Sequence, residues 1–135
     1  MIGLDTNILL RYLTKDQTPQ TDAACKFIDD TIESGQDLFV NHIVLFELFW
    51  VMKKIYNLSK AQIIGSLDLL LDSYGIIIEN EDDVSSALQI YADNNVDFSD
   101  ALIAVGNLRN NVDYTMTFDK KAANKINGFK LLNIT

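Results

Sequence analysis

With 135 residues, the chain has room for one core and none for a separate regulatory or targeting module, so one domain over residues 1–135 is expected. Hydrophobic residues make up 48% of it, with six Gly and one Pro, which excludes disorder, collagen-like repeats and low-complexity chains. Nineteen acids against eleven bases give a formal charge of -8, which works against sequence-independent attachment to a polyanion through Lys and Arg alone.

The lone cysteine, Cys25, excludes an internal disulfide framework and a thiolate metal site, and suits a reducing compartment. The opening MIGLDTNILLRYL lacks a basic start, has too short an apolar run and carries Asp5, so neither a secretory signal nor a membrane span is expected there. A cytoplasmic location follows as the expectation.

Short apolar runs alternate with longer stretches at helical spacing, the pattern of an α/β layer fold. Met1 to Leu4 predicts a short buried strand ending at Asp5. Ile8, Leu9, Tyr12 and Leu13 then recur at helical spacing, so the chain passes directly into a helix over Asn7–Leu13. Thr18 and Pro19 open a second helix, with Ala24, Phe27, Ile28 and Ile32 as its apolar face and Gly35 as its stop. Leu38–Val40 predicts the second strand, and Ile43–Tyr56 a long apolar helix closed by Lys53 and Lys54 at its negative end, with Glu47 inside it. Ser59 with Gln62 has the form of a capping box for a helix over Ser59–Ser73, and Ile76–Ile78 predicts a third strand. Asn80 with Glu81, Asp82 and Asp83 opens another helix, where negative charge meets exposed backbone donors. Asp97 and Asp100 stand at the opening of a helix carrying Ala101, Leu102, Ala104, Val105 and Leu108. Tyr114–Phe118 alternates as a strand that delivers Asp119, and a short helix leads to the last strand, Phe129–Leu132.

Loops and helix N-termini converge beyond the carboxyl ends of parallel strands, which is where ligands bind. Asp5 and Asp119 lie at two such ends, Asp100 in the first turn of a helix, and Glu47 between Phe46 and Leu48. Each has a bland alternative: Asp5 caps its helix, Glu47 is a solvated helix residue, Asp100 caps beside Asp97, and Asp119 turns the chain or pairs with Lys120 and Lys121. Gathered at one sheet edge, four carboxylates repel and lose hydration, so they persist together only with protons or cations. Mg²⁺ and Mn²⁺ suit an all-oxygen set, whereas Zn²⁺ prefers His or Cys, of which His42 and Cys25 are the sole representatives. Such a centre supports in-line phosphodiester hydrolysis without a Ser, Cys or His nucleophile. His42 has no triad partners and is read as structural, and Phe49, Trp50 and Met52 as core or dimer interface.

Asp5-Thr6-Asn7, Phe46-Glu47-Leu48, Asp97-Phe98-Ser99-Asp100-Ala101 and Thr117-Phe118-Asp119 come in an order and spacing that resembles the PIN-domain family, over nearly the whole chain. The resemblance implies a three-layer α/β/α fold with a central parallel sheet and an acidic, Mg²⁺- or Mn²⁺-dependent ribonuclease site. It implies Asp5, Glu47 and Asp100 as core metal ligands, Asp119 as the fourth acid, Thr6, Asn7 and Thr117 as supporting polar contacts, and Asp97 as an auxiliary acid or the cap of its helix. The small stand-alone members look like the toxins of VapBC-type toxin-antitoxin pairs, which implies an RNA substrate and a cognate antitoxin protein. Arg11, Lys15, Lys120 and Lys121 follow the acidic segments and are expected to hold RNA phosphates at the rim, while Lys53 and Lys54 read as solvated helix positions. The apolar helices Ile43–Tyr56 and Ser59–Ser73 exceed what one small core covers, which points to a homodimer face or an antitoxin groove. Two rival readings stay open. A Mg²⁺-dependent phosphatase or receiver-like domain is disfavoured by Asn7 and by the helix at Ile43–Tyr56, and a catalytically silent binding module by the presence of all four acids.

Overall fold

The computed structural model describes residues 1–134 and divides into two compact units, Met1–Glu79 and a second from Asn80 onward. The first contains β1 (Ile2–Gly3), α1 (Thr6–Thr14), α2 (Pro19–Glu33), β2 (Leu38–Val40), α3 (His42–Lys54), α4 (Lys60–Asp72) and β3 (Ile76–Ile78). Parallel strands need long crossovers, which the two helix pairs supply. β2 is the middle strand, pairing Leu38 with Ile2 of β1 and with Ile76 of β3. With partners on both edges and helices packed beside it, β2 buries Leu38 and Val40 completely. That is why Leu38–Val40 reads as an apolar run without alternation.

Each helix turns one stripe inward. In α2 the buried stripe is Thr21, Ala24, Ile28 and Thr31. The expected Phe27 lies at the margin of that stripe and is 44% exposed, because the i, i+4, i+7 row through Ala24, Ile28 and Thr31 makes the contact. The two buried threonines fill polar needs locally: Thr31 Oγ1 donates to the Phe27 carbonyl at 2.6 Å, and the Thr21 hydroxyl bonds Asp16 and Thr18. In α3 the inward residues are Val44, Leu45, Leu48, Phe49 and Met52, leaving Ile43, Phe46 and Trp50 exposed.

The start of α3 is fixed twice. Asn41 Oδ1 accepts the Val44 N–H at 2.9 Å, a cap of the kind that contributes about 1 kcal/mol. The His42 N–H donates to Glu79 Oε1 at 2.9 Å, and His42 Nε2 donates to the Glu79 carbonyl at 2.6 Å. A carbonyl only accepts, so Nε2 carries the proton. His42 therefore ties α3 to the end of β3. The capping box of α4 is present, with Gln62 N–H to Ser59 Oγ at 3.2 Å and Ser59 N–H to Gln62 Oε1 at 2.9 Å. β3 is entered through Gly75 at φ 82°, where an added Cβ would stand 2.9 Å from Ile32 Cγ1.

The second unit contains α5 (Glu81–Asp93), α6 (Phe98–Arg109), β4 (Thr115–Thr117), α7 (Lys120–Lys125) and β5 (Phe129–Leu131), with β4 and β5 parallel. Its core gathers Val96, Ala104, Ala122 and Ile126, with Ile90 and Phe129 against them, and Tyr91 meets Phe98 edge to face at 6.3 Å. Both units are α/β with every strand pair parallel among the described residues.

One acid corrects its sequence reading. Glu81 and Asp82 are exposed in the first turn of α5, as dipole-favoured charges should be, but Asp83 is 3% exposed and accepts Arg109 Nε at 2.5 Å. Asp83 is the anchor of an ion pair joining α5 to α6, invisible in a sequence where its partner lies 26 positions away. Loss of the partner strands a buried carboxylate, which costs more than the pair itself contributes. Arg109→Ala is expected to lower stability by about 2 kcal/mol in urea unfolding, below the full buried-pair figure because Arg109 is half exposed. Lys26→Ala, which breaks the exposed pair with Asp30, is expected to leave the midpoint unchanged.

Candidate functional site

In the first unit the site residues flank the ends of β1 and β2. The Leu4 N–H donates to the Phe39 carbonyl at 2.9 Å, so the ladder reaches the residue before Asp5 and delivers Asp5 at the sheet edge. Asp5 is the N-cap of α1, and its Oδ1 accepts the Thr6 N–H at 2.7 Å. One oxygen of the carboxylate is thereby oriented. Thr6 is buried, and its Oγ1 has no hydrogen-bond partner among the described residues. A buried hydroxyl without a partner costs about 1–3 kcal/mol, an expense that recurs where a ligand supplies the missing bond.

Because β1 and β2 run parallel, Asn41 at the head of α3 leaves the sheet from the same edge as Asp5. Glu47 lies six residues along that helix, about 9 Å down its axis at 1.5 Å per residue. α1 packs against α3. The sequence reading surrounded Glu47 with apolar neighbours, but they point elsewhere: Leu45 and Leu48 face inward, while Glu47 is exposed beside the exposed Phe46 and Trp50. Its charge is hydrated.

In the second unit three acids converge. Asp97 is at the N-cap of α6, Asp100 is in its first turn, and Asp119 is at the N-cap of α7 directly after β4. Burial pushes the Asp100 carboxyl above its ordinary range, and the charges of Asp97 and Asp119 push it further the same way. Asp97 and Asp119 thus lie within electrostatic reach of Asp100. Asp97 holds the N-cap position without a side-chain cap bond. Asp119 does cap: its Oδ1 accepts the N–H groups of Lys121 at 2.9 Å and Ala122 at 3.1 Å. Thr117 Oγ1 accepts the Asp119 N–H at 3.0 Å and so sets the turn that aims it.

The donor set is all oxygen and fits a hard divalent ion, and a carboxylate set near like charges is a group a cation relieves. Within either unit, no three His, Cys, Asp or Glu of the described residues already stand as a ligand set.

The expected rim residues differ in their freedom. Arg11 Nη1 donates to Asp16 Oδ2 at 2.9 Å and reaches Thr18 Oγ1 at 3.5 Å, so its charge is already shared. Sequence reasoning missed Asp16, which is brought to Arg11 by the left-handed Lys15 at φ 50°, a turn that no residue type in the sequence announces. Lys15 lies over the Tyr12 ring at 5.3 Å, while Lys120 and Lys121 are exposed at the head of α7.

Residues 2–127 match the family model of the PIN domain. The chain belongs to the PIN-domain family. The match spans both units and takes in Asp5, Glu47, Asp97, Asp100, Thr117 and Asp119. Among curated relatives, the VapC ribonuclease of Aquifex aeolicus (strain VF5) is 23% identical over 130 residues, covering 96% of this chain and 94% of that protein. In this PIN-domain chain no helix of the described residues is long and apolar enough to cross a membrane.

A carboxyl raised in the folded state keeps its proton longer there than in the unfolded chain. Stability is therefore lost as pH rises from the unfolded value, about 3.9, through the raised folded value, and stays lost above it. Asp100→Asn is expected to raise the thermal midpoint at pH 7 in EDTA, with the gain shrinking as pH falls below about 4. Equal midpoint shifts at both pH values in scanning calorimetry would contradict the crowding.

Proposed function

We propose that this protein is a metal-dependent endoribonuclease that hydrolyses RNA phosphodiester bonds, acting as the toxin of a toxin-antitoxin pair in the cytoplasm. The observation that carries the reading is the PIN-domain match over residues 2–127, which takes in Asp5 at the end of β1, Asp100 in the first turn of α6 and Asp119 at the end of β4. The similarity to a VapC ribonuclease supports the activity and the toxin role. On this reading residues 1–135 act as one PIN-like domain, and Asp5, Glu47, Asp100 and Asp119 hold Mg²⁺ or Mn²⁺.

The bound ion would supply an activated water and charge neutralisation at the scissile phosphate. The chain's own contribution is orientation. Asp5 and Asp119 each commit one carboxylate oxygen to backbone N–H groups at a helix start, which holds the other in a fixed direction. Thr6 offers its unpartnered hydroxyl, Asn7 is exposed one residue on, and Thr117 fixes the turn before Asp119. Asp97 adds negative charge beside Asp100 and so favours cation binding. Lys120 and Lys121, with Arg11 and Lys15, hold RNA phosphates away from the reacting centre.

Two protein partners belong to the same proposal. A groove of about 410 Å³ between α1 and α2, lined by Asn7, Ile8, Arg11, Gln20 and Phe27, suits a segment of the antitoxin. On α3, Ile43, Phe46 and Trp50 are 71%, 50% and 49% exposed at i, i+3 and i+7, a stripe suited to pairing with a second copy.

Asp5→Asn and Asp100→Asn are each expected to reduce cleavage of single-stranded RNA by about a hundredfold or more, since each removes several kcal/mol of metal-centred stabilisation. Cleavage should also stop in EDTA and return with Mn²⁺. Undiminished cleavage by both variants refutes the site, and hydrolysis of small phosphomonoesters without RNA cleavage would move the protein to another reaction class. Trp50→Glu is expected to halve the solution mass seen by light scattering if α3 forms the dimer.

A further inference from the structure

The second unit carries a sheet face that the acid cluster does not use. β4 and β5 are in register with Met116 opposite Lys130, and the Leu132 N–H donates to the Thr117 carbonyl at 2.8 Å, extending the ladder by one residue. Thr115, Thr117, Phe129 and Leu131 are the half-buried side of this pair, and Phe129 packs onto the core below. Tyr114, Met116 and Phe118 are 48%, 45% and 65% exposed, and Leu132 is 46% exposed beside them. Parallel strands are ordinarily covered on both faces, so an open one is a departure that asks for an occupant. Lys130 Nζ stands 4.6 Å from the centre of the Tyr114 ring.

The chain that follows Asp119 runs against the overall charge, while Asp113 and Asp119 flank Tyr114 and Phe118 in sequence. Between Lys120 and Ile134 there are four lysines and no acid, in a protein whose formal charge is -8. Lys120, Lys121, Lys125 and Lys130 are all exposed. Phe118 immediately precedes Asp119, so the face runs up to the acid cluster.

We propose that the outer face of β4 and β5 is a stacking platform for a single-stranded stretch of RNA, with Tyr114 and Phe118 stacking unpaired bases and Lys130 pairing a backbone phosphate. The proposal rests on the ribonuclease reading for its choice of nucleic acid. Aromatic rings on an open sheet flanked by cations are how single strands are held without sequence readout, because every base has a face to stack and every nucleotide a phosphate. A polyanion is the occupant that the charge favours. Self-pairing of this face is disfavoured because a two-fold contact sets its lysines against their own copies.

The test uses the full chain carrying Asp5→Asn, in EDTA, with a fluorescein-labelled unstructured RNA of about 12 nucleotides followed by fluorescence anisotropy. Tyr114→Ser is expected to weaken binding by about tenfold, the loss of one stacked base, while Tyr114→Phe keeps binding within about twofold. Lys130→Gln is expected to lower the slope of log affinity against log salt by about one. Unchanged binding in a Tyr114→Ser/Lys130→Gln double variant overturns the platform, as does failure of the parent chain to bind the RNA. A change in solution mass with RNA binding intact overturns it in favour of a protein contact. If the platform variants behave as expected while the unmutated chain cleaves no RNA with Mg²⁺ or Mn²⁺, the ribonuclease reading fails and the binding site stands.

Discussion

Like charges held close together are the constraint around which this protein is organised. Partial burial raises the proton affinity of Asp100, and the charges of Asp97 and Asp119 raise it further. Helix α6 buries Phe98, Ala101 and Ala104, and Asp100 is half-buried beside them in its first turn.

The local means of positioning these acids is the helix start. Asp5 opens α1 and Asp119 opens α7, and each gives one oxygen to backbone donors that would otherwise lack partners. Capping and ligand binding are thus not rivals for these residues, because a carboxylate has two oxygens and a cap occupies one. Asp97 stands at a third helix start, and its charge raises the proton affinity of Asp100. Thr6 shows the same economy from the other side, with a hydroxyl buried beside Asp5 and left without a partner.

Charge is also distributed unevenly along the chain. A formal -8 argues against RNA binding when read as a single number, yet the last fifteen described residues from Lys120 hold four lysines and no acid. Net charge governs long-range approach, whereas contact is decided within a Debye length of about 8–10 Å, where a basic edge beside aromatic rings can act against the whole.

Periodicity in the sequence was sufficient for the order of the elements, for the capping box at Ser59 and Gln62, and for the acids at the strand ends, because these depend on neighbours within about four residues. Helix and strand positions shifted by a residue or two, as at α3, expected from Ile43 and found from His42, since terminal hydrogen bonds rather than apolar spacing set the limits. Which side of a helix is buried was less legible: Phe27 and Glu47 lie on open faces although their sequence neighbours are apolar. The pairing of Asp83 with Arg109, of His42 with Glu79, and the gathering of Asp97, Asp100 and Asp119 were settled only by folding. Each joins groups from separate elements, and no local pattern carries the distance between two residues that the chain brings together from opposite ends of a loop.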